Sequence, residues 1–313
     1  MPFFSCILLS HDKAAHVAEA IDSLVAQTFL DWEAVVFDSG VLYDQGFFAT
    51  LPAMNDPRIR LVRSWETEEI RATKTIASWC FNECFRKKLL HGQYITYLCD
   101  DDLYYSNAFQ AFFDYANIYP DAMALYASVD MTGVSAAGEK LVFRELLADE
   151  RRGTCCGGGP LDCHVDYLQL CHKAALFDLF PDEDFWPEER AVIQHADGIF
   201  LEKIGCRAPI YPVPVKIGEN RKVPSSLNTG GERLELLLEI SRRDHEIRRL
   251  EQLLAEMGHE LAELQSQSPA LLRYRIADKL NGAFKRVPVL HRIGKKLALT
   301  SLAKNRLTTD EHR

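Results

Sequence analysis

The feature that most limits the fold is an apolar strand with a charged end. Tyr94-Ile-Thr-Tyr-Leu-Cys runs directly into Asp100, Asp101 and Asp102. Adjacent carboxylates repel one another, and a buried strand end has little solvent to screen them, so donors or a cation must be brought to this point. A hard divalent ion meets that need. Mg2+ or Mn2+ takes oxygen ligands, is held by one or two carboxylates and leaves its other positions to substrate phosphates. An acidic loop or helix cap is the structural alternative.

The surroundings of this run predict an α/β fold. Phe3 to Leu9 is a short apolar run, followed by Ser10-His11-Asp12 and a segment in which Val17, Ala20, Ile21, Leu24 and Val25 recur at helical spacing. Trp32 to Phe37 is a second buried strand that ends at Asp38-Ser39-Gly40, and Ile59 to Val62 is a third. A helical stretch over 70–90 leads into Tyr94 to Leu98. Strands and helices alternating at this spacing make right-handed βαβ units, so the sheet is expected to be mostly parallel, with a ligand site at the carboxyl ends of its strands.

Beyond the Gly/Cys-rich stretch Gly153 to Gly159 a mixed region reaches about Asn220, and the expected catalytic unit spans residues 1–225. After Gly230-Gly231 the pattern changes. Arg233, Ile240, Ile247, Leu254 and Leu261 repeat every seven residues, with Leu236, Arg243, Leu250, Met257 and Leu264 three positions on. Heptads over 231–268 predict a coiled coil and a homo-oligomer; a long helix packed on its own domain is the alternative. From Leu271 to Arg313 there are eleven Lys/Arg against three Asp/Glu, within a chain whose net charge is −9. This basic amphipathic tail suits peripheral contact with an anionic membrane or packing on protein, while the acidic body argues against nucleic acid as a partner.

Composition excludes other classes. With 47% apolar and 26% charged residues the chain is neither disordered nor collagen-like. Nine cysteines, an odd number spread over 313 residues, suit reduced thiols better than a disulfide framework. No apolar run reaches the roughly 18 residues of a membrane span, and no basic residue precedes the first apolar patch, so a cytoplasmic location is expected.

Taken in order, the motifs carry a resemblance. Ser10-His11-Asp12 after the first strand, Ser23-Leu-Val-Ala-Gln-Thr-Phe29 before Trp32-Glu33, Asp38, Arg71, Lys74-Thr75, Asn82, Gly92-Gln-Tyr-Ile-Thr-Tyr-Leu98, the acid cluster, Val165-Asp166 with His172-Lys173, and Ala196-Asp197-Gly198 stand in sequence. The arrangement resembles the family 2 glycosyltransferases of the GT-A fold, and within them the spore-coat polysaccharide enzymes, over about residues 3–220.

The resemblance implies a set of roles. Asp38 would accept from the imide N–H of a uracil-type base, Arg71 would contact base or phosphate, and Ser10 and Asp12 would line the same pocket. Asp101 matches the metal-binding carboxylate of the family's DxD motif, with Asp100 toward ribose or metal and Asp102 beside it; Cys99 stands where many relatives have the first Asp. Asp197 matches the general base, and Asp166 falls on the acceptor and sugar side. Trp186 either stacks on a sugar or packs in the core. His195 is a rival base with a helix-surface alternative, and Cys155, Cys156, Cys163, His164, Cys171 and His172 lack the paired spacing of a zinc site.

These roles define the expected activity: a metal-dependent, inverting transfer of a sugar from a UDP- or dTDP-sugar to a hydroxyl of a glycan, lipid-linked or protein acceptor, in surface polysaccharide or glycoconjugate synthesis. A sugar-nucleotide nucleotidyltransferase is the rival enzyme, although Ser10 to Ala15 contains no glycine for a phosphate loop. A non-catalytic oligomeric scaffold with a degenerate GT-A domain is the rival without chemistry.

Overall fold

A computed structural model of the chain describes residues 1–11, 13–39, 46–63, 68–134, 140–148, 165–181, 184–193, 195–223, 238–240, 242–243, 246–257 and 259. Asp12, the Gly153–Gly159 stretch, the cysteines and histidine at 155, 156, 163 and 164, most of the heptad segment and the basic tail lie outside them. By packing, the chain divides into a unit Met1–Ser241 and a unit Arg242–Arg313.

The first unit is an α/β structure built on a nine-stranded sheet. Its parallel half comprises β1 (Phe4–Ser10), β2 (Trp32–Asp38), β3 (Ile59–Arg63) and β4 (Tyr94–Cys99), in the spatial order β3-β2-β1-β4. All seven residues of β1 are buried, as expected for a strand covered on both faces. Beyond β4 the sheet is mixed, continuing through β8 (Leu170–Lys173), β6 (Ala124–Val134), β9 (Ile210–Lys222) and the two-residue β5 (Leu103–Tyr104), with β7 (Lys140–Leu146) paired to β6. β6 and β9 run parallel, whereas β8 is antiparallel to both β4 and β6.

Helix α1 (Ala14–Val25) buries Val17, Ala20, Ile21 and Leu24, the stripe its spacing predicts, and leaves Val25 exposed at its last position. Gln27 then ties its end to α4 (Ala108–Ile118): its side-chain amide donates to the Tyr105 carbonyl at 2.8 Å and accepts from Phe109 N–H at 3.0 Å. The helical stretch expected over 70–90 is in fact two helices, α2 (Glu68–Thr73) and α3 (Ile76–Arg86). They part because the Thr75 N–H leaves the helical ladder and donates to the Glu188 carbonyl at 2.6 Å, a partner no local pattern reveals.

Two glycines permit close approach of backbones. A Cβ on Gly92 would sit 2.3 Å from the Ser5 nitrogen, and one on Gly218 would sit 2.3 Å from the Leu103 carbonyl oxygen. Gly218 therefore lets β9 close on β5, the strand that follows Asp102 directly.

Between β4, β8 and α3 lies a buried polar chain. His172 Nδ1 donates to its neighbour's carbonyl at 2.9 Å, its Nε2 accepts from the Tyr97 hydroxyl at 2.7 Å, and the Trp186 indole N–H donates to that hydroxyl at 3.1 Å. These roles are those of a neutral imidazole protonated on Nδ1. Burial lowers the His172 pKa from 6.5 to about 4. The unfolded chain takes up a proton below about pH 6.5 that the folded one refuses, so stability present above that pH is lost as pH falls toward 4. At about 1.4 kcal/mol per unit the loss is on the order of 3 kcal/mol. Melting curves between about pH 7 and about pH 5 should fall more steeply for the native protein than for His172→Gln; equal slopes would assign the effect to another group.

Candidate active site

The site forms where the parallel strands end. Ser10 closes β1 and pairs in register with Asp38 at the end of β2, while Leu9 pairs with Cys99 at the end of β4. Three neighbouring strands thus deliver Ser10, Asp38 and the acid triplet to one edge, as sheets of this kind place their ligands. Ser39 N–H donates to the Ser10 carbonyl at 2.9 Å, and Arg71, in the last turn of α2, donates to the Ser39 carbonyl at 2.8 Å. His11 joins the two sides, its N–H donating to Asp100 Oδ2 at 2.8 Å and its ring bonded to the Ser39 hydroxyl. The Ser10 hydroxyl is buried and has no hydrogen-bond partner among the described residues. Asp12 lies outside them.

The three aspartates are 2%, 5% and 3% exposed, so each must be answered by a specific group. Asp100 takes the His11 N–H, as above. Asp101 meets the Lys13 ammonium at 2.5 Å, with Asp100 3.9 Å from the same nitrogen. Asp102 accepts the Arg221 N–H at 2.9 Å, and the Arg221 guanidinium bonds the Asp101 carbonyl and Glu19. Burial opposes the charge on Lys13, but Asp101, which it also hydrogen-bonds, and Asp100 outweigh it and hold the ammonium above the usual lysine range. Burial, then the charge of Asp101, pushes Asp102 well above the usual carboxylate range. Burial and the three acids likewise push the Cys99 thiol up and keep it neutral.

Cys99 Sγ and one carboxylate oxygen each of Asp101 and Asp102 lie within 4.8 Å of one another. Two buried acids, one of which holds back the ionisation of the other, are a fitting donor set for a hard cation, which would offset their repulsion.

Asp166 is drawn to the same end of the sheet. It caps a short 3-10 turn, accepting from the Leu168 N–H at 3.0 Å and from the Asn220 amide at 2.8 Å. Burial raises its pKa, and its charge is among those that raise Asp102. Asp197 lies in the first turn of α5 (Ala196–Gly205), half-buried, with His195 exposed at the N-cap.

Trp186 lies in the core, one of the two places the sequence allows it. Its ring is 1% exposed and stacks on Phe200 with centroids 3.6 Å apart, so core packing is the reading that holds. Sequence reasoning missed Lys13, one residue past Asp12 in a loop already singled out, and Arg221, which only the pairing of β9 with β5 and β6 brings to the acids.

This architecture is the GT-A fold. S. aureus TarS 1-349 in complex with UDP matches it at a TM-score of 0.51 and 18% identity, over 71% of this chain and 61% of that one. The same protein in complex with UDP-GlcNAc matches at 0.50 and 19% identity, over 70% and 58%. Among curated proteins, CgeD of Bacillus subtilis (strain 168) is 23% identical over 230 residues, 71% of this chain and 50% of CgeD. The chain thus spans about half the length of that curated relative, and no family model matches it. No helix among the described residues is long and apolar enough to cross a membrane.

Proposed function

We propose that this chain is a glycosyltransferase that moves a sugar from a nucleoside-diphosphate donor, UDP- or dTDP-linked, to a hydroxyl acceptor. The observation that carries the reading is the meeting of Ser10, Asp38, the Ser39-bound Arg71 and the acid triplet at one sheet edge. Asp38 receives the imide N–H of the base, with Arg71 beside it. The Ser10 hydroxyl offers a polar contact to the nucleotide, and Asp100 faces the ribose or the cation. Asp101 and Asp102 hold Mn2+ or Mg2+, whose contribution when bound is Lewis-acid stabilisation of the diphosphate.

Asp197 takes the proton of the acceptor hydroxyl as its oxygen bonds to the anomeric carbon. The bond from that carbon to the diphosphate oxygen breaks, and the nucleoside diphosphate leaves with the electron pair. A single base opposite the leaving group gives inversion. Asp166 braces the acceptor side through its cap and its bond to Asn220. The UDP and UDP-GlcNAc complexes of S. aureus TarS support a uridine donor, and glycan, lipid-linked or protein hydroxyls in surface polysaccharide or glycoconjugate synthesis are the acceptor classes.

Donor hydrolysis measured across UDP-, dTDP-, GDP- and CMP-sugars, with and without Mn2+, tests this reading. Turnover of one uridine or thymidine donor, raised by the cation, is the expected result; release of pyrophosphate from a nucleoside triphosphate would favour the nucleotidyltransferase.

A homo-oligomer through 231–268 belongs to the same proposal. Ile247 and Leu254, one heptad apart, are 52% and 57% exposed, apolar positions of the kind a second copy covers. Ile247→Lys with Leu254→Lys should reduce the native mass in light scattering to that of a monomer, and an unchanged mass would remove these positions from the interface.

A further inference from the structure

We propose that Lys13 is a resident counter-ion that competes with the divalent cation for Asp101, so that the cation enters the acid triplet only as Lys13 is drawn away. The inference rests on reading the triplet as a cation site. The Lys13 ammonium lies 2.5 Å from Asp101 Oδ2 and 3.9 Å from Asp100 Oδ1, with its side chain 16% exposed and theirs 7% and 2%. A divalent ion on the same carboxylate oxygen sits about 2.0 to 2.2 Å from it, which puts the two cations within roughly 5 Å of each other where little solvent screens them. Both cannot hold Asp101 at full strength.

The two basic residues at the triplet differ in what they can do. Arg221 is braced: its backbone N–H holds Asp102, and its guanidinium spans the Asp101 carbonyl and Glu19. It engages Asp101 through the backbone carbonyl. Lys13 instead engages the carboxylate itself, from the loop residue that caps α1, on a flexible four-carbon stem. A nucleoside diphosphate bound against the Ser10–His11 loop brings negative charge to the same place, and a compact ammonium is well suited to follow it. Lys13 then neutralises phosphate while Asp101 is freed for the ion. Cation and nucleotide therefore bind with positive coupling, and the coupling passes through one side chain.

The test is a titration of Mn2+ into full-length protein, followed by the electron paramagnetic resonance of the free ion, with and without UDP. Without UDP, Lys13→Met should bind Mn2+ at least about 10-fold more tightly than the native protein, because a repelling charge is gone. Lys13→Arg should match the native value, and Lys13→Gln serves in place of the methionine variant if thermal melting shows that one to be unfolded. UDP should tighten Mn2+ binding in the native protein and change it little in Lys13→Met. If Lys13→Met binds Mn2+ no more tightly than the native protein while UDP still tightens both, the competition is overturned and the nucleotide site stands. If Lys13→Met binds more tightly and UDP has no effect on any variant, the competition stands and the donor reading fails.

Discussion

Asp101→Asn should leave the protein folded and lower sugar transfer about 10²- to 10³-fold, the usual cost of removing one preorganised electrostatic partner of a developing charge. The side chain is nearly the same size, so the 5% exposed position should not collapse or clash. What changes is charge. Lys13 loses its 2.5 Å partner but keeps Asp100 at 3.9 Å, so the ammonium is not stranded. Asp102 gains, because the charge of Asp101 is the largest influence after burial in holding its ionisation back. A melting temperature near that of the native protein, Mn2+ binding lost and transfer collapsed would together place the cation on Asp101. Full transfer by a folded Asp101→Asn variant would move the metal elsewhere or remove it from the mechanism.

Asp197→Asn should bind donor as the native protein does and lose about 10²- to 10⁴-fold in transfer, the range a positioned general base supplies. Asparagine matches aspartate in shape but accepts no proton at neutral pH, so the effect should fall on turnover and leave the donor dissociation constant unchanged. Asp197 stands in the first turn of α5, on an element held by Phe200, Leu201 and Ile204 in the core, and a neutral side chain there disturbs none of that packing. Calorimetry with UDP and single-turnover transfer separate the two quantities. Native turnover in Asp197→Asn, with loss in His195→Gln, would transfer the role to the histidine at the N-cap.

Several motifs that carried the family resemblance turn out to brace the fold. Gln27 joins α1 to α4, and Asn82 binds the backbone of Trp186 in both directions, at 2.8 and 2.9 Å, while also meeting Glu188 at 2.7 Å. Lys74 sits 3.1 Å from the same Glu188. These residues fasten α3 to the segment that leads into α5, and so set where Asp197 stands. A recurring polar residue in such a chain is as readily a brace behind the site as a contact within it.

What the sequence alone determined was the parallel half of the sheet and the site edge on it. Apolar runs at Phe3–Leu9, Trp32–Phe37 and Tyr94–Leu98 can be satisfied only by strands buried on both faces, and each ends in the polar residues that mark its carboxyl end. Period and burial are local properties, so the strands and the polar residues that end them were legible, whereas the common pocket of Ser10, Asp38 and the acid triplet was what the family resemblance implied and the strand order β2-β1-β4 brings about. The break at Lys74-Thr75, the burial of Trp186 and the partners of the acids were decided by tertiary structure, since each depends on a residue far along the chain: Glu188 for Thr75, Phe200 for Trp186, Lys13 and Arg221 for Asp101 and Asp102. A carboxylate's spacing in sequence states that it needs a partner, but only the folded sheet, by laying β9 beside β5 and the β1 loop beside β4, selects the Arg221 backbone N–H for Asp102 and the Lys13 ammonium for Asp101.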